Sequence, residues 1–475
     1  MFKNLSELKN YCKEHEIKMI DFKMIDLSGR WRHLTIPSER FTEKTLENGI
    51  GFDGSNYGYA TLEKSDMVFI PDITTSNIEF SAEIPTISMI GDVYIIEDTP
   101  KPFDQDPRNI ANKAEKYMSD MGVADEFRIG PEFEFYLFDH VSHNISSDTI
   151  ASEIDANQAA WNNCKTDKNL GYKIPYQGGY HITPPMDVSF DFRSKLCMEL
   201  EKRQIPVKYH HHEVGGPGQL EVEVEFGGLR EMADKTMLAK YITKNAAFKE
   251  GKTATFMPKP VYGDAGNGLH VHMHMFKEGK PIFYDKNGYS GLSKEALYFI
   301  GGLLTHAASL CALTNPSTNS YKRLLPGYEA PVGICFATSN RSAVVRIPAY
   351  ATSPMEKRFE IRSPDATCNP YFAYSAILMA GLDGIKKKID PTKEGLGPCD
   401  FNLYNLTKEE QSKIKFLPKS LNEALDALEE DYEYLLEGNV FPKRLIDIWI
   451  DKKRNEAASI NKIPHPAEFE HYYDL

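Results

Sequence analysis

The sequence predicts an α+β fold in two parts, a small and mostly β N-terminal domain followed by a larger domain that mixes helices and strands. Three observations carry this expectation. The chain has 475 residues, more than a single hydrophobic core supports. The stretch "EDTPKPFDQDPR" (97–108) concentrates three prolines and four acids between a β-like run and a helical one. Helical and strand periodicities then alternate downstream without any fixed repeat. The break divides the chain into residues 1–104 and 105–475.

In chain order, "IKMIDFKMIDLSGRWRHLTIP" (17–37) shows β-like runs around "LSGR", the last bounded by Pro37. After the break, "RNIANKAEKYMSDMG" is amphipathic and starts just after Pro107, a good first helical residue. "FRIGPEFEFYLF" alternates like a sheet strand. The segment 296–321, "ALYFIGGLLTHAASLCALTNPSTNSY", has no charged residue, but Thr305, His306 and Ser309 interrupt it and Asn315-Pro316 ends it. A buried core helix is expected there rather than a membrane span. "SLNEALDALEEDYEYLLEG" predicts one helix, opened by a Ser420/Glu423 capping box and stopped at Gly438.

A net charge of −13 argues against nucleic acid or an anionic membrane as partner and favours small-molecule substrates. Seven scattered cysteines without a C-x-x-C pair predict free thiols in a reducing cytoplasm. The charged N-terminus lacks the apolar core of a secretory signal, so a cytoplasmic location is expected.

Candidate chemistry begins with carboxylates. Glu132 and Glu134 alternate with Phe133 and Phe135, so on a strand the two acids share one face. In "HHHEVGGPGQLEVEVEF", His211 and Glu213 share a face, and Glu221, Glu223 and Glu225 share a face of the return strand. Crowded acids fit either a solvated sheet face or a site for hard divalent cations such as Mg²⁺ or Mn²⁺. In "GDAGNGLHVHMHM" (263–275), His270, His272 and His274 point one way and Val271, Met273 and Met275 the other. Neighbours on one strand face lie roughly 7 Å apart, so one metal ligand per strand is expected rather than three. The glycine turn lacks both the Gly-Lys-Ser/Thr ending of a phosphate loop and the dinucleotide spacing. Downstream, Arg323, Arg341, Arg346, Arg358 and Arg362 sit in apolar and Asn/Ser/Pro-rich sequence. Singly each fits a surface ion pair; together, beside inward glutamates, they fit metal-assisted phosphoryl transfer.

"FDGSN", "GPEFEF", "HHHEVGGPGQLE", "KTATFMPKP", "NSYKRLLPGYEAP", "NRSAVVRIP" and "NPYFAYSAILMAGLDGIKKKIDP" together resemble the type I bacterial glutamine synthetases, in that family's order and across nearly the whole chain. The resemblance implies a β-grasp N-terminal domain, a catalytic domain with a curved antiparallel sheet flanked by helices, and a dodecamer of two hexameric rings with active sites between subunits. It implies ATP, glutamate and ammonium as substrates and two Mg²⁺ or Mn²⁺ ions. One ion would be held by Glu134, Glu213 and Glu221, the other by Glu132, His270 and Glu360. Arg323 matches the clamp on the glutamate α-carboxylate, with Glu134 and Gly266 also at that substrate. Arg341, Arg346 and Arg362 match phosphate-binding arginines, and Tyr180, Phe226, His272, Arg346 and Arg358 match nucleotide positions. Asp53 of a neighbouring subunit would bind and deprotonate ammonium, and Glu329 would close a flap and accept a proton.

Several positions depart from the pattern. Ala265 replaces an asparagine, His274 and Asn56 replace serines, Met355 replaces a lysine, and "RSPD" replaces R-F-P-D. These leave open a ligase that takes another amine, and a family member without catalysis. Tyr404 in "NLYNL" matches a tyrosine adenylylated in one subgroup; an unmodified exposed tyrosine is the plain alternative.

Overall fold

In the computed structural model, residues 2–59, 65–96, 100–164, 169–325, 330–401, 403, 407, 409 and 414–473 are described. Glu329 and Tyr404 lie outside them.

The N-terminal part opens with helix α1 (Leu5–Glu14), capped where the Asn4 side chain accepts the Glu7 N–H. Strands β1 (Met19–Ile25) and β2 (Trp31–Pro37) form a hairpin whose turn is tied by Asp26 Oδ1, which accepts from Ser28 N and Arg30 N. Strands β3 (Ile50–Asp53), β4 (Asp66–Pro71), β5 (Asn77–Ile78), β6 (Thr86–Ile96) and β7 (Pro100–Pro102) complete a mixed sheet in the order β2-β1-β6-β4-β3, with β5 and β7 also pairing β6. Its central pair, β1 and β6, is parallel. Ile20, Phe22, Met24, Phe69, Ile87 and Met89 bury one face under α1 and Phe41.

Helix α2 (Pro107–Asp120) begins at the expected proline and leads into the long strand β8 (Glu126–Phe138). An exposed hairpin follows, β9 (His140–Ile145) and β10 (Ile150–Asp155), then helix α3 (Phe190–Glu201). Strands β11 (Val207–His212), β12 (Gln219–Val224) and β13 (Gly227–Gly228) precede helix α4 (Leu229–Lys249). Strands β14 (Thr253–Thr255), β15 (Val271–Lys277), β16 (Lys280–Pro281), β17 (Gly333–Thr338), β18 (Ala343–Ile347) and β19 (Phe359–Ile361) complete the second sheet. Its order is β11-β12-β8-β15-β19-β18-β17, antiparallel except at β17/β18. Phe133, Phe135, Val271, Met273 and Met275 point from one face into the main core, leaving the acids and histidines on the other.

The uncharged segment folds as α5 (Lys294–Thr305) and α6 (Ala307–Thr314), bent by 74° at His306. Among the described residues no single helix is long and apolar enough to cross a membrane. Helix α5 packs on α7 (Pro370–Lys387) so closely that a Cβ on Gly302 would lie 2.0 Å from the Ala380 carbonyl oxygen. The single helix expected after Ser420 is instead two, α8 (Leu421–Glu430) and α9 (Glu433–Leu436). The break falls at Asp431, whose carboxylate is taken by His306 Nδ1 at 2.8 Å and by the Ser309 hydroxyl at 2.7 Å. Ser420 caps α8 through the Glu423 N–H, but Glu423 accepts from Lys419 N rather than closing the reciprocal box.

Arg108, 1% exposed, fastens the two parts together: it reaches Asp72 and Asp92 at the N-terminal sheet and Asp234 on α4. Burial opposes its charge, yet the surrounding aspartates hold its pKa above the ordinary arginine value.

Candidate active site

Two cross-strand rows build the polar face. In one, His211, Glu221 and Glu134 are successive register partners across β11, β12 and β8. In the other, Gly130, His272, Glu360 and Arg346 are partners across β8, β15, β19 and β18. Glu132, between the rows, pairs with Glu223. Glu213 joins from the turn after β11.

A cavity of about 340 Å³ is lined by Glu132, Glu134, Glu213, Glu221 and His270 together with Arg323, Arg341 and Arg362, and also by Gly266 and Tyr180. His270 Nδ1 is 2.7 Å from Glu132 and 3.6 Å from Glu134, which also accepts the Gly268 N–H at 2.6 Å. Burial, and then repulsion from neighbouring glutamates, raises the pKa of Glu213 and of Glu221 well above the carboxylate range. Acids crowded so closely call for a cation. Donor atoms of His211, Glu213 and Glu221 lie within 4.8 Å of one another, as do those of Glu132, His272 and Glu360, so His211 stands in the first group where Glu134 is expected and His272 in the second where His270 is expected. Oxygen-dominated sets of this kind fit a hard divalent ion.

His272 stands where a nucleotide contact is expected. Here its Nε2 lies 2.8 Å from Glu132 and 2.7 Å from Glu360. Burial disfavours its charge, but the two carboxylates prevail and carry its pKa up to about 9. Glu360, fully buried, is held ionised against burial by His272, Arg362 and Arg346, the arginines at 2.7 and 2.8 Å. Phe226 and Arg358 lie beside the carboxylate cavity rather than in its lining, with the guanidinium 5.8 Å from the ring centroid. Gly130 makes room for that ring, since a Cβ there would touch it at 3.3 Å. His274 packs 4.5 Å from Phe226 and 4.7 Å from Phe276, and burial together with Arg128, Arg358 and Lys208 pushes its pKa down to about 3.

Arg323 is 8% exposed and is aimed by carbonyl groups: its guanidinium donates to Ser363 O at 2.8 Å, Pro364 O at 3.3 Å and Arg362 O at 3.0 Å. Tyr180 and Arg341 both line this cavity. Asp53 is not brought to this cavity. It sits exposed at the end of β3, where hydrogen bonds from Ser55 lower its pKa and Asn56 Nδ2 donates to it at 2.7 Å.

Asp264 escaped the sequence reasoning. Buried in the glycine-rich turn, it accepts the backbone N–H groups of Gln177, Ala265 and Gly216, and so ties three loops of the cavity rim. An acid inside a glycine run is the one signal that marks it.

The chain matches the family description "Glutamine synthetase, beta-Grasp domain" over residues 16–96 and "Glutamine synthetase, catalytic domain" over residues 104–472. It is 46% identical to a glutamine synthetase of Streptomyces filamentosus, and 42% identical to a 3-hydroxylaminophenol mutase of Cupriavidus pinatubonensis, in each case over 100% of both chains. The structure superposes on Plasmodium falciparum glutamine synthetase with a TM-score of 0.88, at 29% identity and 99% coverage of both chains.

Proposed function

Because this chain belongs to the glutamine synthetase family and is an enzyme of that kind, we propose that it joins ammonia to L-glutamate at the expense of ATP. The products are L-glutamine, ADP and phosphate, formed through γ-glutamyl phosphate. The observation that carries this reading is that four glutamates and three arginines line one cavity.

Arg323, aimed by three carbonyl oxygens and with Nη2 3.4 Å from His270 Nε2, supplies the positive charge that draws in the glutamate α-carboxylate, while Gly266 leaves room beside it. Two divalent cations would be held by Glu134, Glu213 and Glu221 and by Glu132, His270 and Glu360, and would supply positive charge to the phosphate oxygens during transfer. Arg341, Arg346 and Arg362 orient the phosphate so that the γ-carboxylate attacks in line. Tyr180, Phe226 and Arg358 hold the nucleotide. His272 supports that end of the site from beneath, through its bonds to Glu132 and Glu360. Asp53, remote from its own chain's cavity, serves a neighbouring subunit by taking a proton from ammonium, and Glu329 accepts the proton lost on amide formation. This arrangement requires an oligomer, in keeping with a dodecamer of two hexameric rings.

Phosphate release from ATP and glutamate with Mg²⁺, measured with ammonium and then with a panel of alkylamines and polyamines, tests the reading. Ammonium giving no more than the amine-free control overturns it. The amine panel addresses a second reading, a ligase for another amine, favoured by the Asn56 side chain bound to Asp53. A separate arm without ATP offers 3-hydroxylaminophenol, the substrate named for one relative.

A further inference from the structure

Two thiols outside the carboxylate cavity are built as a pair. Cys335 on β17 and Cys399 are 1% and 8% exposed, and their proximity moves the two thiols in opposite directions, Cys335 up and Cys399 down. With Ala337, Ala343 and Leu403 they form a small apolar cluster separate from the main core. The backbone fixes their approach: Cys399 N–H donates to Phe336 O at 2.9 Å, and Phe336 N–H to Leu396 O at 3.1 Å.

The same short segment grips the loop that carries Arg341. Asn340 Nδ2 donates to the carbonyls of Cys399 and Phe401, each at 2.8 Å. Asp400 accepts the Thr338 N–H at 2.9 Å and the Tyr289 hydroxyl at 2.8 Å. A displacement of Cys399 is therefore passed by direct hydrogen bonds to the residue before Arg341, and Arg341 lines the cavity.

We propose that Cys335 and Cys399 form a reversible disulfide with a low-molecular-weight disulfide as oxidant, and that closing it shifts the Arg341 loop. Cys399 is the attacking thiol. Its pKa is lowered by the neighbouring Cys335 thiol, and it is the more exposed of the two. Its thiolate attacks one sulfur of the oxidant, whose S–S bond breaks and releases one thiolate that takes up a proton. The Cys335 thiol then loses its proton and attacks the Cys399 sulfur of the mixed disulfide, expelling the second thiol. Two protein thiols become one disulfide, and the oxidant is reduced to two thiols. Cytosolic disulfides of this type are transient and sense redox state rather than brace a fold.

The test exposes the full-length protein to graded ratios of oxidised to reduced glutathione, maps peptides without reduction, and follows phosphate release in parallel. The expected result is a Cys335–Cys399 linked peptide that saturates, disappears with dithiothreitol, and accompanies a change of at least twofold in turnover. Cys399→Ala and Cys335→Ala, which keep the apolar packing, lose both the peptide and the twofold response. Oxidation confined to the exposed Cys164, or full sensitivity retained in Cys399→Ala, overturns the proposal. Formation of the linked peptide with turnover unchanged overturns the link to Arg341. Only the turnover arm rests on the reading of the cavity given above; the mapping arm stands without it.

Discussion

Glu134 and Glu221 are direct register partners across the β8/β12 ladder, both buried, with Glu213 adding a third carboxylate from the adjoining turn. Like charges so placed destabilise the metal-free fold and are relieved by a cation. Saturating Mg²⁺ should raise the thermal midpoint, by the equivalent of about 2.7 kcal/mol at a hundredfold excess over Kd. Glu221→Gln should leave the metal-free midpoint equal or higher while losing most of the Mg²⁺ shift. Differential scanning calorimetry with and without Mg²⁺ checks both.

Arg323→Ala should raise the KM for glutamate by roughly tenfold or more, about 1.4 kcal/mol or above in lost binding. KM for ATP should change far less, since Arg323 lines the carboxylate cavity and Phe226 and Arg358 do not. Initial-rate kinetics with each substrate varied in turn separates the two effects, and an equal rise in both constants removes the assignment.

Gly266→Ala places a Cβ 2.5 Å from the Pro258 carbonyl oxygen and 3.0 Å from Arg323 Cγ. Backbone cannot yield as a side-chain tip can, so the variant should lose about 1–3 kcal/mol of stability and also bind glutamate less tightly. Urea unfolding and glutamate titration measure the two consequences.

His306 sits between Asp383 and Asp431, with Nε2 and Nδ1 at 2.9 and 2.8 Å. Burial opposes its charge, but hydrogen bonds to both carboxylates prevail and raise its pKa. A raised histidine adds stability that is full below its unfolded value of about 6.5 and is lost as pH rises through the folded value. Urea midpoints of the native protein should therefore fall, as pH rises above about 6.5, by more than those of His306→Gln. Parallel pH profiles for the two proteins would leave His306 without this role.

Asp53 lies on one sheet and the carboxylate cavity over another, with no contribution from Asp53 to the lining of its own chain's site. Inactive Asp53→Ala and inactive Glu213→Gln subunits, dissociated and reassembled together, should recover activity through mixed sites. Assemblies of either variant alone should stay inactive. Light scattering on the same samples gives the number of subunits.

Period-two alternation made the faces of β8 and β15 legible: Glu132 and Glu134, and His270, His272 and His274, fall together as their spacing requires. Which residues meet across strands was not legible. That depends on register, and register depends on turns and on irregularities such as the slip between Val207 and Tyr209. So the pairing of His211 with Glu221, and the placing of His272 between Glu132 and Glu360, emerged only with the fold. The break at Asp431 was hidden for a similar reason. Local pattern favours helix there, but a histidine more than a hundred residues earlier claims the side chain.

The bend at His306 turns an uncharged run through 74°, and both halves are covered. Once the chain opens, that run has no charged residue to discourage self-association. Heating should therefore end in aggregates faster than in refolded chains, making inactivation a one-way event. Variants of this protein are then best ranked by half-life at a fixed temperature, and additives that shield apolar surface should lengthen that half-life without altering the native site.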